Sequence, residues 1–98
     1  MDHVNWLLYD IADDKARTRV SKLCKKAGLY RVQYSVFVGT LATTERDELQ
    51  LTIDDLIDTD RDKVYLFTIS RKSLHSSILL GQAFDRKLVS DEVVQLFL

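Results

Sequence analysis

Apolar residues run almost unbroken from Val4 to Ile11, interrupted near the end by Asp10, and the stretch is rich in β-branched and aromatic side chains. That composition predicts a strand buried on both faces and central in its sheet. Beyond it, Ala16, Val20, Leu23, Cys24 and Ala27 recur at the spacing of one helical face, with Asp13 or Asp14 as N-cap and Gly28 as the stop. Between Leu29 and Leu41, Tyr30, Val32, Tyr34, Val36 and Val38 share one parity and Gly39 falls near the end. This predicts extended structure, either one strand or two short ones with a kink near Ser35. Thr43 or Thr44 can cap a second helix, in which Leu49, Ile53, Leu56 and Ile57 repeat the helical spacing before the polar stretch Asp58 to Asp62. Lys63 to Ser70 reads as a further apolar strand. Ser77 to Leu80 and Val93 to Leu98 are short apolar runs separated by a mixed segment.

A β-α-β order followed by α-β, with two amphipathic helices that each cover one face of a sheet, predicts an α+β, ferredoxin-like split βαβ sandwich. Both helices then lie on one side of an antiparallel sheet. Strand parity puts Trp6, Leu8, Val64 and Leu66 on one face and Leu7, Tyr9, Tyr65 and Phe67 on the other, which leaves no polar face. The uncovered face is therefore expected to pack against a second copy, making a homodimer through the sheet faces. The tail, residues 90–98, ends in Val93-Val94-Gln95-Leu96-Phe97-Leu98 and has the composition to add a swapped or docking strand to a partner's edge.

Length and composition narrow this picture. Ninety-eight residues with 46% hydrophobic side chains suffice for one domain, spanning 1–98, and not for two. A domain of this size buries only roughly two-thirds of its unfolded surface, so self-association is a natural supplement to its stability. No apolar run approaches the roughly 20 residues of a membrane span, and Met1-Asp2-His3 does not open a secretory leader, so a cytoplasmic protein with no membrane partner is expected. The single cysteine, Cys24, excludes an internal disulfide and has no companions at zinc-binding spacing. The net charge of −1 hides a segregation: residues 14–33 carry seven basic groups against one acid, and residues 43–62 carry eight acids against two bases. The first region can face phosphates, although charge alone is more simply explained by two solvated helix faces.

Asp10 is the residue that points to chemistry. A carboxylate leaving an apolar strand needs a cation, a hydrogen-bonding loop or solvent. Taken alone, Asp10 with Asp13 and Asp14 ends the strand and caps the helix. One aspartate is also a poor magnesium site, because hard cations take several oxygen ligands. Two copies of Asp10 meeting on a dimer axis would instead form a carboxylate pair able to hold Mg²⁺ or Mn²⁺.

Tyr9-Asp10-Ile11-Ala12-Asp13-Asp14, then Arg17 and Arg19 in a basic helix, then Gly28-Leu29-Tyr30-Arg31-Val32-Gln33-Tyr34-Ser35-Val36-Phe37-Val38-Gly39, together resemble the Cas-two family. These are small CRISPR-associated nucleases that partner the CRISPR integrase. The likeness is dense through residues 4–41 and thinner afterwards, where the strand Val64 to Ile69, the run ending at Gly81 and Ser90-Asp91-Glu92-Val93-Val94 share the family's look. The resemblance implies a ferredoxin-like homodimer, a divalent metal between two Asp10 carboxylates, and cleavage of phosphodiester bonds in single-stranded RNA or in DNA. It further implies a central position in the integrase complex that captures spacers. By position, Asp10 is the implied metal ligand and catalytic residue with Tyr9 beside it. Arg17, Arg19 and Arg31 are implied phosphate contacts, and Phe37 shapes the site. Arginine suits that task, since its planar fork pairs with phosphate oxygens without reading base sequence.

Other features offer less. His3 and His75 are isolated, Ser35 lacks a nucleophile elbow, and the glycines form no phosphate loop. Cys24 is expected to pack, and Arg71-Lys72 to form a solvated turn. Two further readings stay open beside the nuclease: a non-catalytic adaptor whose basic faces hold DNA between integrase subunits, and a toxin-like ribonuclease of similar fold.

Overall fold

The computed structural model of the chain describes residues 2–81 and 83. Along it run β1 (Asp2–Asp10), α1 (Asp14–Lys26), β2 (Tyr30–Gln33), β3 (Val36–Ala42), α2 (Thr43–Leu56), β4 (Lys63–Ile69) and α3 (Arg71–His75). The four strands form one sheet in the order β2-β3-β1-β4, with every neighbouring pair antiparallel. Each long helix thus joins two strands that have a third between them, the ferredoxin-like arrangement expected from the element order.

Helix α1 is closed at both ends by its own residues. The Asp13 carboxylate accepts the Ala16 N–H at 2.8 Å, satisfying a donor with no partner inside the helix. Asp14 in the first turn and Lys25 and Lys26 in the last oppose the helix dipole. Termination is a Schellman motif: Gly28 takes φ +96°, its N–H donates to Lys25 O, and the Leu29 N–H donates to Cys24 O, both at 3.0 Å. Leu29 then joins Cys24 in the core. Helix α2 departs from expectation, because Thr43 is already helical and the N-cap is Ala42, which has no side-chain acceptor. The Glu45 carboxylate compensates by accepting the Ala42 N–H at 2.9 Å.

Two expectations about the strands need correction. Of the two forms expected for residues 29–41 the chain takes two strands, and the break near Ser35 is a full reversal rather than a kink: Tyr34 and Ser35 form a hairpin turn that puts Gln33 opposite Val36. A bulge between Arg31 and Gln33 sets Val32 as an extra residue against β3, since Arg31 lies opposite Phe37 and Gln33 opposite the next residue back, Val36. The second correction concerns the parity of β4. Trp6 lies opposite Phe67 and Leu8 opposite Tyr65, while Leu7 pairs with Leu66 and Tyr9 with Val64. Residues directly opposite each other share a face. Val64 and Leu66 therefore belong with Leu7 and Tyr9, and the pairing inferred from the sequence was offset by one residue.

The main core lies between the sheet and the two long helices. Leu7, Tyr9, Phe37 and Leu41 from the strands meet Val20, Cys24, Leu49 and Ile53 from the helices. On the opposite face, α3, which the sequence pattern did not reveal, places Leu74 against Val4, Val32 and Val38. Its start is capped by Ser70, whose hydroxyl accepts the Ser73 N–H at 3.0 Å. The cover is partial: Tyr65 and Phe67, stacked in parallel with centroids 6.3 Å apart, remain about half exposed beyond it. The proposed C-terminal strand, 90–98, lies outside the described residues, among which no helix is long and apolar enough to cross a membrane.

Candidate functional site

Asp10 is the last residue of β1, exposed, and opposite Lys63 of β4. Its even parity places it on the partly uncovered face with Trp6 and Leu8, while Ile11 turns back into the core. The short loop that follows is clamped from β4's side. Asp62 accepts the Ala12 N–H at 3.0 Å through one carboxylate oxygen and the Asp58 N–H at 2.9 Å through the other. These two bonds, that to Ala12 first, hold the Asp62 carboxyl below the usual range. From the helix side, Arg17 donates to Ile11 O at 3.2 Å and pairs with Asp14. Asp62 was hidden in the polar stretch 58–62, because only the β1–β4 pairing brings it to the Asp10 loop.

Tyr9 points the other way from Asp10, as neighbours on a strand must. Its ring is buried and packs on Phe37 with centroids 6.2 Å apart, and its hydroxyl donates to Tyr34 O at 3.1 Å. The Arg31 guanidinium lies 5.0 Å from the centre of the Phe37 ring and donates to the Ser21 hydroxyl. Above it opens a cleft of about 380 Å³ between α1 and β2. Arg17, Lys22 and Lys25 form its helical wall, with Tyr9, Arg31 and Tyr34 on the strand side. The helical wall arises because positions 17, 18, 21, 22 and 25 return to one side at i, i+4 and i+8. Cys24 lies beneath the cleft, where burial, working against the nearby Arg31 charge, pushes its thiol up to about 12.

The predicted site residues are thus divided. Tyr9, Arg17 and Arg31 converge on the cleft. Phe37, fully buried, acts only as the floor that carries Arg31. Asp10 lies on the opposite face of the sheet, and Arg19 is exposed on α1 and does not line the cleft. Lys22 and Lys25 were legible as charges and β2 as extended structure, but not that the two pack together around one cleft. A larger hollow of about 770 Å³ between α2 and β4 mixes Arg46 and Lys63 with Asp54 and Asp62, so its charges do not converge on one sign. Among the described residues no three His, Cys, Asp or Glu side chains group closely enough to hold a metal, and Asp10 contributes one carboxylate per chain.

Comparison with known proteins fits this geometry. The sequence profile of the family described as CRISPR associated protein Cas2 matches residues 3–76. The CRISPR-associated endoribonuclease Cas2 1 of Archaeoglobus fulgidus is 35% identical over 75 residues, covering 76% of this chain and 80% of that protein. The CRISPR-associated endoribonuclease Cas2 2 of Chloroflexus aurantiacus is 35% identical over 79 residues, covering 81% and 93%. The crystal structure of Streptococcus pyogenes Cas2 shares the fold, with a TM-score of 0.69 at 24% identity over 80% of this chain and 99% of that one. Since the profile spans most of the chain and includes both the Asp10 strand and the basic cleft, the protein belongs to the Cas2 family of CRISPR systems.

Proposed function

We propose that this chain is a metal-dependent endonuclease of CRISPR adaptation that works in the cytoplasm as a homodimer. Its substrates on this reading are phosphodiester bonds of single-stranded RNA or of DNA, and the dimer is also the centre of the integrase complex that acquires spacers. The observation that carries the reading is the position of Asp10, exposed at the end of β1 on a sheet face whose Tyr65 and Phe67 are left half exposed. A second copy seated on that face buries the aromatics and brings two Asp10 carboxylates toward one axis. The donors of one chain do not suffice for Mg²⁺ or Mn²⁺, whereas an Asp10 pair fits a hard cation completed by water. Bound there, the cation supplies neutralisation of the charge that builds on a phosphate under attack. The chain's own contribution is to fix Asp10 through the Asp62 clamp on the loop behind it, and to hold backbone phosphates through Arg17, Arg19 and Arg31. Names of the relatives support nuclease chemistry, since both are called endoribonucleases.

The test is cleavage of labelled single-stranded RNA and DNA with Mg²⁺ or Mn²⁺. Asp10→Asn is expected to abolish cutting while remaining a folded dimer by gel filtration, and equal cutting by the variant would refute the catalytic role. The placement of the basic cleft on the face opposite Asp10 favours a second reading, a non-catalytic adaptor that holds DNA between integrase subunits. In that case Asp10→Asn leaves spacer acquisition intact, and charge reversal at Arg17 and Arg19, or removal of residues 93–98, abolishes it.

A further inference from the structure

We propose that the α1–β2 cleft binds a phosphomonoester, the terminal phosphate of a nucleic-acid strand, and that this phosphate is a different one from any at Asp10. The inference rests on the reading of the chain as a nucleic-acid-binding protein and specifies what one part of its surface holds. Four cations, Arg17, Lys22, Lys25 and Arg31, line the cleft, and no carboxylate does. Arg17 is balanced by Asp14, but Lys22, Lys25 and Arg31 form no ion pair among the described residues. An internal phosphodiester brings one negative charge to three uncompensated cations, whereas a terminal phosphate is close to a dianion at neutral pH.

Arg31 adds a donor that awaits an acceptor. Its plane is held over Phe37 and its terminal nitrogen is bonded to Ser21, yet its Nε is buried with no partner among the described residues. Buried donors are almost always satisfied, and a small shift of the half-buried Arg31 side chain would open this one to an anion oxygen in the cleft. The volume, about 380 Å³, lies within the range of small-ligand sites. Tyr34, 70% exposed on the wall, offers a ring face to the terminal base. Because Tyr9 and Asp10 project to opposite faces, a phosphate in the cleft is separated from Asp10 by the sheet.

The test uses the full chain in EDTA, so that no cutting intervenes, and fluorescence anisotropy with one short single-stranded sequence ending in a 5′-phosphate, a 3′-phosphate or hydroxyls at both ends. One phosphorylated form is expected to bind about tenfold more tightly than the hydroxyl form. Lys22→Gln with Lys25→Gln should erase that ratio, whereas Arg19→Gln should weaken all three strands equally and preserve it. Adenosine monophosphate should compete away the gain. Equal affinity for the three strands overturns the proposal, even if the mononucleotide still binds, as does a lysine variant that weakens all three in equal proportion. Absence of binding to every strand overturns the nucleic-acid reading as well. Repeating the series in Asp10→Asn separates the outcomes, since loss of cutting there leaves the end-phosphate ratio untouched.

Discussion

Phe37→Leu isolates the contact that ties the core to the basic cleft. Phe37 is fully buried and is the largest such side chain among the described residues, with Tyr9 against its ring and the Arg31 guanidinium 5.0 Å from its centroid. Truncation to alanine would cost about 3–5 kcal/mol, a large share of the roughly 5–15 kcal/mol that stabilises a domain, so leucine is the better probe. Leucine nearly conserves volume, which limits the packing loss to about 1 kcal/mol. The lost ring removes about 1 kcal/mol of cation–π attraction to a half-buried guanidinium and about 0.5–1 kcal/mol of contact with Tyr9. The sum, about 2.5–3 kcal/mol, corresponds to a fall in Tm of about 10–20 °C for a chain of this size. Urea unfolding at one fixed protein concentration measures it. A double-mutant cycle with Arg31→Met should return a coupling of about 1 kcal/mol for the ring and the guanidinium. A coupling indistinguishable from zero would refute the argument that Phe37 holds Arg31 in place, whatever the single variants do.

Three further outcomes are expected. Asp62 has a carboxyl held below its ordinary 3.8 by the Ala12 and Asp58 N–H groups, so its stabilising effect is present above that value and lost as pH falls through the lower folded-state one. The gap in urea midpoint between the parent and Asp62→Ala should therefore be open at pH 7 and narrow toward pH 3, and a gap constant over that range would exclude the clamp. Gly39→Ala puts a Cβ 3.1 Å from a Leu29 methyl and 3.2 Å from Gly28 O, and since the carbonyl belongs to the α1 stop it cannot yield easily. A loss of about 1–3 kcal/mol is expected in thermal unfolding, and a neutral result would show that the stop is pliable. Cys24, buried and with its thiol raised to about 12, should resist iodoacetamide at pH 8 in the folded protein and react once urea unfolds it. Equal rates in both states would contradict its place in the core.

Some of the site was readable because it is local. Asp13 caps α1, Gly28 stops it, and Ala16, Val20 and Cys24 face the core, each as the spacing predicts. Other parts were hidden because they join distant segments. Asp62 clamps Ala12 across fifty positions of sequence, and Arg31 reaches Ser21 only because the chain reverses at Gly28 and lays β2 against α1. The short helix α3 escaped the pattern because five residues carry one buried position, Leu74, which is too few to establish a period.

The sequence by itself determined β1, the two long helices and β4 in their order, the ends of α1, the charged face of that helix and, through the run from Tyr9 to Gly39, the family. These depend on 3.6- and 2-residue periods and on caps, which act over a few neighbouring residues. Only the tertiary structure decided which positions of different strands share a face. The β1–β4 register moved Val64 and Leu66 to the helix side, which left Tyr65 and Phe67 beside Asp10. A slip of one residue in pairing exchanges the two faces while leaving every local period unchanged. The strand period already set Tyr9 and Asp10 on opposite faces, but only the packing of α1 on the sheet made one face a basic cleft and left the other open around the carboxylate.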